Sequence, residues 1–236
     1  MSDAAHQITS PYPNRTLAGV TIIDTPIVRS AQSYIRSHSS NPIYNHVMRA
    51  FLFGALIINN NTTLSSTVDR EVHAVGALLH DLGWDRSPNN SDIVSSDRRF
   101  EVDGAIAARG FIRGHVDGKG WEERRVQLVW DGIALHTERK IALYKELEVQ
   151  LISKGTGLDF DGPGLGVSEG EYADVVKEFP RDGFVSGLND TIVWLCQTKP
   201  ASTYDTWMQT WGDRYVAEYS QNKVNRIDTI FAHLQY

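Results

Sequence analysis

The chain has 236 residues, 41% of them hydrophobic and 22% charged, a balance typical of globular proteins and long enough for a sizeable core. A net charge of −6 with a pI near 5.7 argues against a nucleic-acid partner, since phosphate contacts need clustered Lys and Arg, and the densest basic pair, Arg124-Arg125, is balanced by Glu122 and Glu123. No membrane span is expected without a run of ~18 apolar residues, and the first residues lack the basic-then-apolar pattern of a secretory signal. The single Cys196 forms no intrachain disulfide, so the expected compartment is the reducing cytoplasm.

Residues 1–24 are polar, Pro-containing and aperiodic, and read as an N-terminal arm; residues 25–236 read as a single helical domain. Thr25-Pro26 has the form of an N-cap with proline at the first helical position, opening a helix to about residue 38. Asn41-Pro42 repeats the device ahead of an apolar stripe of Val47, Phe51, Ala55 and Ile58, and His46 borders that stripe facing inward. Val72, Val75, Leu79 and Leu82 define one face of the next helix, with Gly83 as its stop signal. A polar loop, 85–97, separates it from two helices carrying Phe100, Gly104, Ala107 and Phe111 on one face and Val126, Trp130 and Ile133 on the other; His136 extends the second stripe. Helical pattern resumes over 139–154, a Gly-rich stretch over 155–170 interrupts it, and segments 168–179, 186–198, 202–220 and 222–235 complete an all-α reading. The Gly-rich stretch has no preceding strand and no following Gly-Lys-Ser/Thr, so it is not a phosphate cradle, and a flexible flap over a pocket is expected instead.

The chemistry concentrates at His80-Asp81, in the last turn of an apolar helix, with His46 upstream. Neutral imidazole and carboxylate are good ligands for a zinc or iron dication, and the negative end of the helix dipole favours a cation there. Asn45-His46-Val47-Met48-Arg49, then Ala77-Leu78-Leu79-His80-Asp81-Leu82-Gly83, then a downstream aspartate make the chain resemble the HD-domain metalloenzymes. Arg99-Phe100-Glu101-Val102-Asp103-Gly104-Ala105 and Trp130-Asp131-Gly132-Ile133-Ala134-Leu135-His136-Thr137 narrow the resemblance to the fungal cyanamide hydratase branch, over roughly residues 25–200.

The resemblance implies an HD-domain helical bundle in which His46, His80, Asp81 and a later acid hold one divalent metal, zinc first and iron as the alternative. The later acid falls on Asp159, with Asp161 as the fallback. Asp159-x-Asp161-Gly162 also looks like a fragment of a calcium loop, but Gly170 stands where that loop carries its bidentate Glu. Phe100 occupies the position of a second-metal histidine, so a mononuclear site is expected. Its chemistry is then water activation and addition to a small nitrile-type substrate, cyanamide giving urea, a hydro-lyase reaction. His136 is expected to serve as acid/base or substrate-orienting residue beside Asp81. Glu101 and Asp103 are expected to fix imidazole tautomers, and Asn45 and Arg49 to orient the first histidine. His73 reads as a rim or surface histidine; Trp84, Trp121 and Trp130 read as core, with Trp84 placed to line the pocket. His6, His38, His115 and His233 have no evident partner.

A phosphohydrolase acting on a nucleotide or other phosphomonoester is the alternative, with Arg49, Arg86, Arg98 and Arg99 near the site to hold phosphoryl oxygens. A non-catalytic regulatory module is disfavoured by the complete ligand set that the resemblance implies. The expected partner is a small-molecule substrate, and a homo-oligomer suits a soluble enzyme of this size.

Overall fold

The computed structural model describes residues 12–224 and 226–234. Within them the protein is all-α apart from one hairpin, β1 (Asn14–Leu17) antiparallel to β2 (Val20–Ile23), with Leu17 opposite Val20. Residues 1–11 of the expected arm, including His6, lie outside the described residues. The rest of that arm is not aperiodic: Ala18 and Gly19 have φ of 51° and 76°, as a two-residue type I′ turn requires, and Val20, Ile22 and Ile23 enter the core. Alanine at the first turn position, in place of the usual Asn or Asp, hid the hairpin.

Helices α1 (Pro26–Ser37) and α2 (Asn41–Asn59) each carry proline in the first turn, as the sequence predicts. A short α3 (Thr62–Thr67) leads to α4 (Arg70–Leu79), whose N-cap Asp69 accepts from the Glu71 and Val72 amides. Then come α5 (Phe100–Gly114), α6 (Glu123–Leu135), α7 (Arg139–Ala142), α8 (Leu147–Asp161), α9 (Glu169–Glu178), α10 (Phe184–Thr198), α11 (Gln209–Tyr215) and α12 (Arg226–Leu234). Residue 235, the end of the last expected helix, lies outside the described residues. Among the described residues no helix is long and apolar enough to cross a membrane.

Further expectations need correction. The helix expected over 139–154 is two, α7 and α8, separated by residues 143–146. The helix expected over 202–220 shrinks to α11 between 3-10 turns at Pro200–Ser202 and Tyr219–Asn222, because Asp205 and Glu218 adopt positive φ, 58° and 59°. Gly155 and Gly157 do not form a flap either, since both are inside α8. A Cβ on Gly155 would collide with the Ala50 carbonyl and the Gly54 amide, so the glycine is where α8 lies directly on the α2 backbone. Interhelical contact outweighs the low helix propensity of glycine.

The main core joins α1, α2, α4, α5, α6, α8, α9 and β2; a second cluster, including Trp84, Phe100, Phe184, Leu195 and Met208, lies under α10 and α11. The α2–α8 crossing at Gly155 and Ala50 fixes what lies one turn further on: Asp159 of α8 meets His46 and Arg49 of α2.

Candidate metal centre

His46 comes from the first half of α2, His80 caps α4, and Asp81 begins the 3-10 turn Leu82–Trp84. A Cβ on Gly83 would strike the Phe100 backbone, so this turn is pinned against the start of α5. His46, His80 and Asp81 are buried, and one ligand atom from each lies within 4.8 Å of the others. His80 Nε2 is 3.4 Å from His46 Nε2 and 3.2 Å from Asp81 Oδ2; His46 Nε2 is 3.5 Å from Asp81 Oδ2. His136, at the end of α6, adds its Nε2 at 3.6 Å from Asp81 Oδ1.

The tautomers follow from the partners. His80 Nδ1 donates to the Ala77 carbonyl and His136 Nδ1 to the Ile133 carbonyl, both at 2.7 Å, while His46 Nδ1 donates to Asp159 Oδ2 at 2.6 Å. These oxygens only accept, so the proton of each neutral ring sits on Nδ1 and the Nε2 lone pair is left facing inward. Both oxygens of Asp81 are buried with no donor in hydrogen-bonding geometry. Bare imidazole nitrogens around an orphaned carboxylate make a set of electron-pair donors, which is the arrangement a cation satisfies. The residues present therefore fit a divalent metal, held by His46, His80 and Asp81.

Asp159, expected as a ligand, belongs elsewhere. Its carboxylate is gripped by Arg49 Nε and Nη2 at 2.7 and 2.8 Å and by Arg181 Nη2 at 2.7 Å, besides His46. It is a positioning group that orients the ring of His46, the outer carboxylate of a carboxylate–histidine pair. Asp161, the fallback, is exposed and pairs with Arg139 at 2.6 Å. Glu101 and Asp103, expected to fix tautomers, bond no imidazole: Glu101 accepts from Arg99 and from Thr137 Oγ1, and Asp103 from Arg98, Lys199 and the Ser95 amide. Two backbone carbonyls and Asp159 do that work instead. Asn45 donates to the Pro180 carbonyl at 3.0 Å and steadies the chain entering α10.

Phe100 is fully buried against His136 and Trp84, ring centroids 5.6 and 5.2 Å away, so an apolar ring fills its position. His73 is not at the rim; it is 2% exposed, beneath Gly54 of α2. Its pKa falls to about 3, first through burial and then through nearby Arg70. His38 pairs with Asp85 at 2.8 Å and His115 meets Ser30 Oγ at 3.0 Å, while His233 is exposed on α12.

Burial pulls the His80 pKa down, but Asp81, the Ala77 carbonyl and Asp159 outweigh it and the net shift is upward. Burial likewise raises Asp81, and the surrounding imidazoles reverse this, leaving it below the usual carboxylate range. His136 moves the other way, to about 4, because burial, and the charge His80 carries whenever it is protonated, oppose its protonation more than Asp81 and Glu101 favour it. Glu101 is held below its usual value because Arg99, His136 and Thr137 outweigh burial.

A cavity of about 330 Å³ adjoins the centre, lined by His46, Asp81, His136 and Thr137 together with Trp84, Leu188, Trp207 and Trp211. Its apolar lining, Trp84, Leu188, Trp207 and Trp211, belongs to the second core cluster. Trp84 does line it, as its place after the HD pair suggests. Trp207, Trp211 and Leu188 were invisible to sequence reasoning, because no periodicity links α10 and α11 to the metal helices. No family model matches the chain, and no curated protein matches it.

Proposed function

We propose that the protein is a metal-dependent hydro-lyase of the HD type that adds water to a small nitrile-type substrate, cyanamide giving urea, at a mononuclear centre. The observation that carries the reading is the Asp81 carboxylate, buried without a hydrogen-bond donor and ringed by imidazoles that all present Nε2. When bound there, a divalent cation, zinc or iron, supplies Lewis-acid polarisation and acidifies a water to near neutral pH.

The chain's own residues supply the rest. His136 is neutral at physiological pH, its Nδ1 tied to Ile133, so Nε2 accepts one proton of the attacking water and returns it to the substrate nitrogen. The water oxygen forms the new bond to carbon, one C–N π bond breaks, and a tautomeric shift of the remaining hydroxyl proton to nitrogen gives the amide. Asp159 and Arg49 hold the ring of His46 in place, and Glu101 holds Thr137 at the cavity wall.

The phosphohydrolase alternative draws less support from the arginines on which it depends. Arg49 is spent on Asp159, Arg98 on Asp103, and Arg99 on Glu101 and Glu138, while Arg86 lies over the Trp194 ring. The test is metal analysis of the purified protein, then urea from cyanamide and phosphate from a nucleotide panel. Near-stoichiometric metal with urea formation is expected; phosphate without urea would overturn the reading.

A further inference from the structure

We propose, resting on the metal-centre reading, that substrate enters through a neck formed by Phe160, Leu188 and Trp211. Phe160 is its specificity-determining side chain, a ring that lets slim molecules reach the metal and holds back wide ones. A second cavity of about 530 Å³ adjoins the first, and these three residues line both. The outer cavity is walled in part by the exposed Val185, Arg214 and Tyr215, whereas the inner one ends on the buried His46 and Asp81. Among the described residues that line the inner cavity, Phe160 and Arg139 are the exposed ones, so water meets it at those two places.

The two places differ in how firmly they are held. Arg139 is fastened: its guanidinium pairs with Asp161 at 2.6 Å and lies over Gly157, where an added Cβ would come within 3.2 Å of it. Phe160 has no polar group to fasten it and rests on the rings of His46 and Phe184, 5.2 and 5.8 Å away between centroids. About half of its surface is in water, 49%. It stands in the last turn of α8, one residue before the helix ends, and exposed side chains change rotamer quickly. In place, the ring separates water from His46; turned aside, it joins the two cavities. The neck carries no charged group, so it sorts molecules by width, and the slim, linear frame of cyanamide passes where a substituted ring does not.

Cobalt-loaded protein tests the proposal by stopped-flow absorbance with 1-methylimidazole and 1-benzylimidazole, which carry the same donor nitrogen on a narrow and a wide body. In wild type the wide ligand should associate about tenfold more slowly than the narrow one. Phe160→Ala should close most of that gap and Phe160→Trp should widen it, with the 1-methylimidazole rate nearly unchanged. This split separates a neck from simple support of His46, because a loosened metal ligand would alter both rates alike. Arg139→Ala should leave the gap as it is. A gap that survives Phe160→Ala, or closes in Arg139→Ala instead, would overturn the proposal. Phe160 is half exposed, so its alanine variant should keep the fold. The metal-centre reading fails separately, if the protein takes up no cobalt. The neck is then decided on metal-free protein: Phe160→Ala should increase acrylamide quenching of the tryptophan fluorescence, to which Trp84, Trp207 and Trp211 of the cavity contribute, and unchanged quenching would sink it.

Discussion

Two imidazoles on the same face of one helix, His73 and His80, are equally inaccessible to water and chemically opposite. His80 opens onto Asp81 and His46, and its surroundings raise its pKa; His73 lies under Gly54 with Nε2 unpartnered, and its pKa falls to about 3. The residue type is the same and so is the burial. The number of acceptors within reach decides which ring is placed where a cation could be held and which one is packing.

The sharpest way to break this contrast is to remove each ring in turn. His80→Ala should abolish metal retention, with affinity down by more than about 100-fold, and with it turnover, while helical circular dichroism is kept. His73→Met, an adaptable apolar replacement, should bind metal as wild type does. Equal metal content in the two variants by elemental analysis would remove the distinction.

Next in size is the outer carboxylate. Asp159→Asn should weaken metal binding by roughly 10- to 100-fold, through the loosened ring of His46, and should lower stability by leaving buried Arg49 without its counterion. A competitive chelator titration reads the first and a thermal melt the second. An unaltered metal affinity would show that His46 needs no such support.

The packing side of the comparison is sharpened by Gly54→Ala. The added Cβ runs into His73 Nε2, and the strain should cost about 1–3 kcal/mol in denaturant melts with metal stoichiometry unchanged. A neutral result would mean that the ring has room to move.

The smallest effect is a pH slope. The pKa of His73 is 6.5 when unfolded and about 3 in the fold, so between those values the unfolded chain binds a proton that the native one refuses. Stability owed to this group is therefore unaffected above the unfolded pKa and is lost as pH falls below it, by roughly 1 kcal/mol over the first unit. His73→Met should be flatter than wild type by that amount between pH ~6.5 and ~5.5, measured by urea melts. Parallel slopes would argue that the ring is hydrated in solution.

The legibility of the molecule in its sequence follows the range of the forces involved. The starts of α1 and α2 were readable from Pro26 and Pro42, because a proline in the first turn fixes its own φ and gives up no helical hydrogen bond; neither Thr25 nor Ser40 caps its helix through the side chain. His46, His80 and Asp81 come together as the resemblance implies, with stripe and helix end turning each inward, whereas the fourth ligand it implies, Asp159, does not join them. The Ala18-Gly19 turn was missed because its signal is a pair of dihedral angles that alanine rarely adopts.

What the sequence determined alone was the helical class and the inward side of His46 and of the His80-Asp81 helix end, since 3.6-residue periodicity and local helix ends are properties of short segments. The tertiary structure decided the role of Asp159, the burial of His73 and the aromatic wall of the cavity. Each depends on which helices touch: Asp159 reaches His46 only because Gly155 lets α8 rest on α2, and Trp207 meets Phe100 only because α10 and α11 fold back over the site. Such contacts join residues far apart in the chain, and their geometry is set by close packing, which no local pattern encodes.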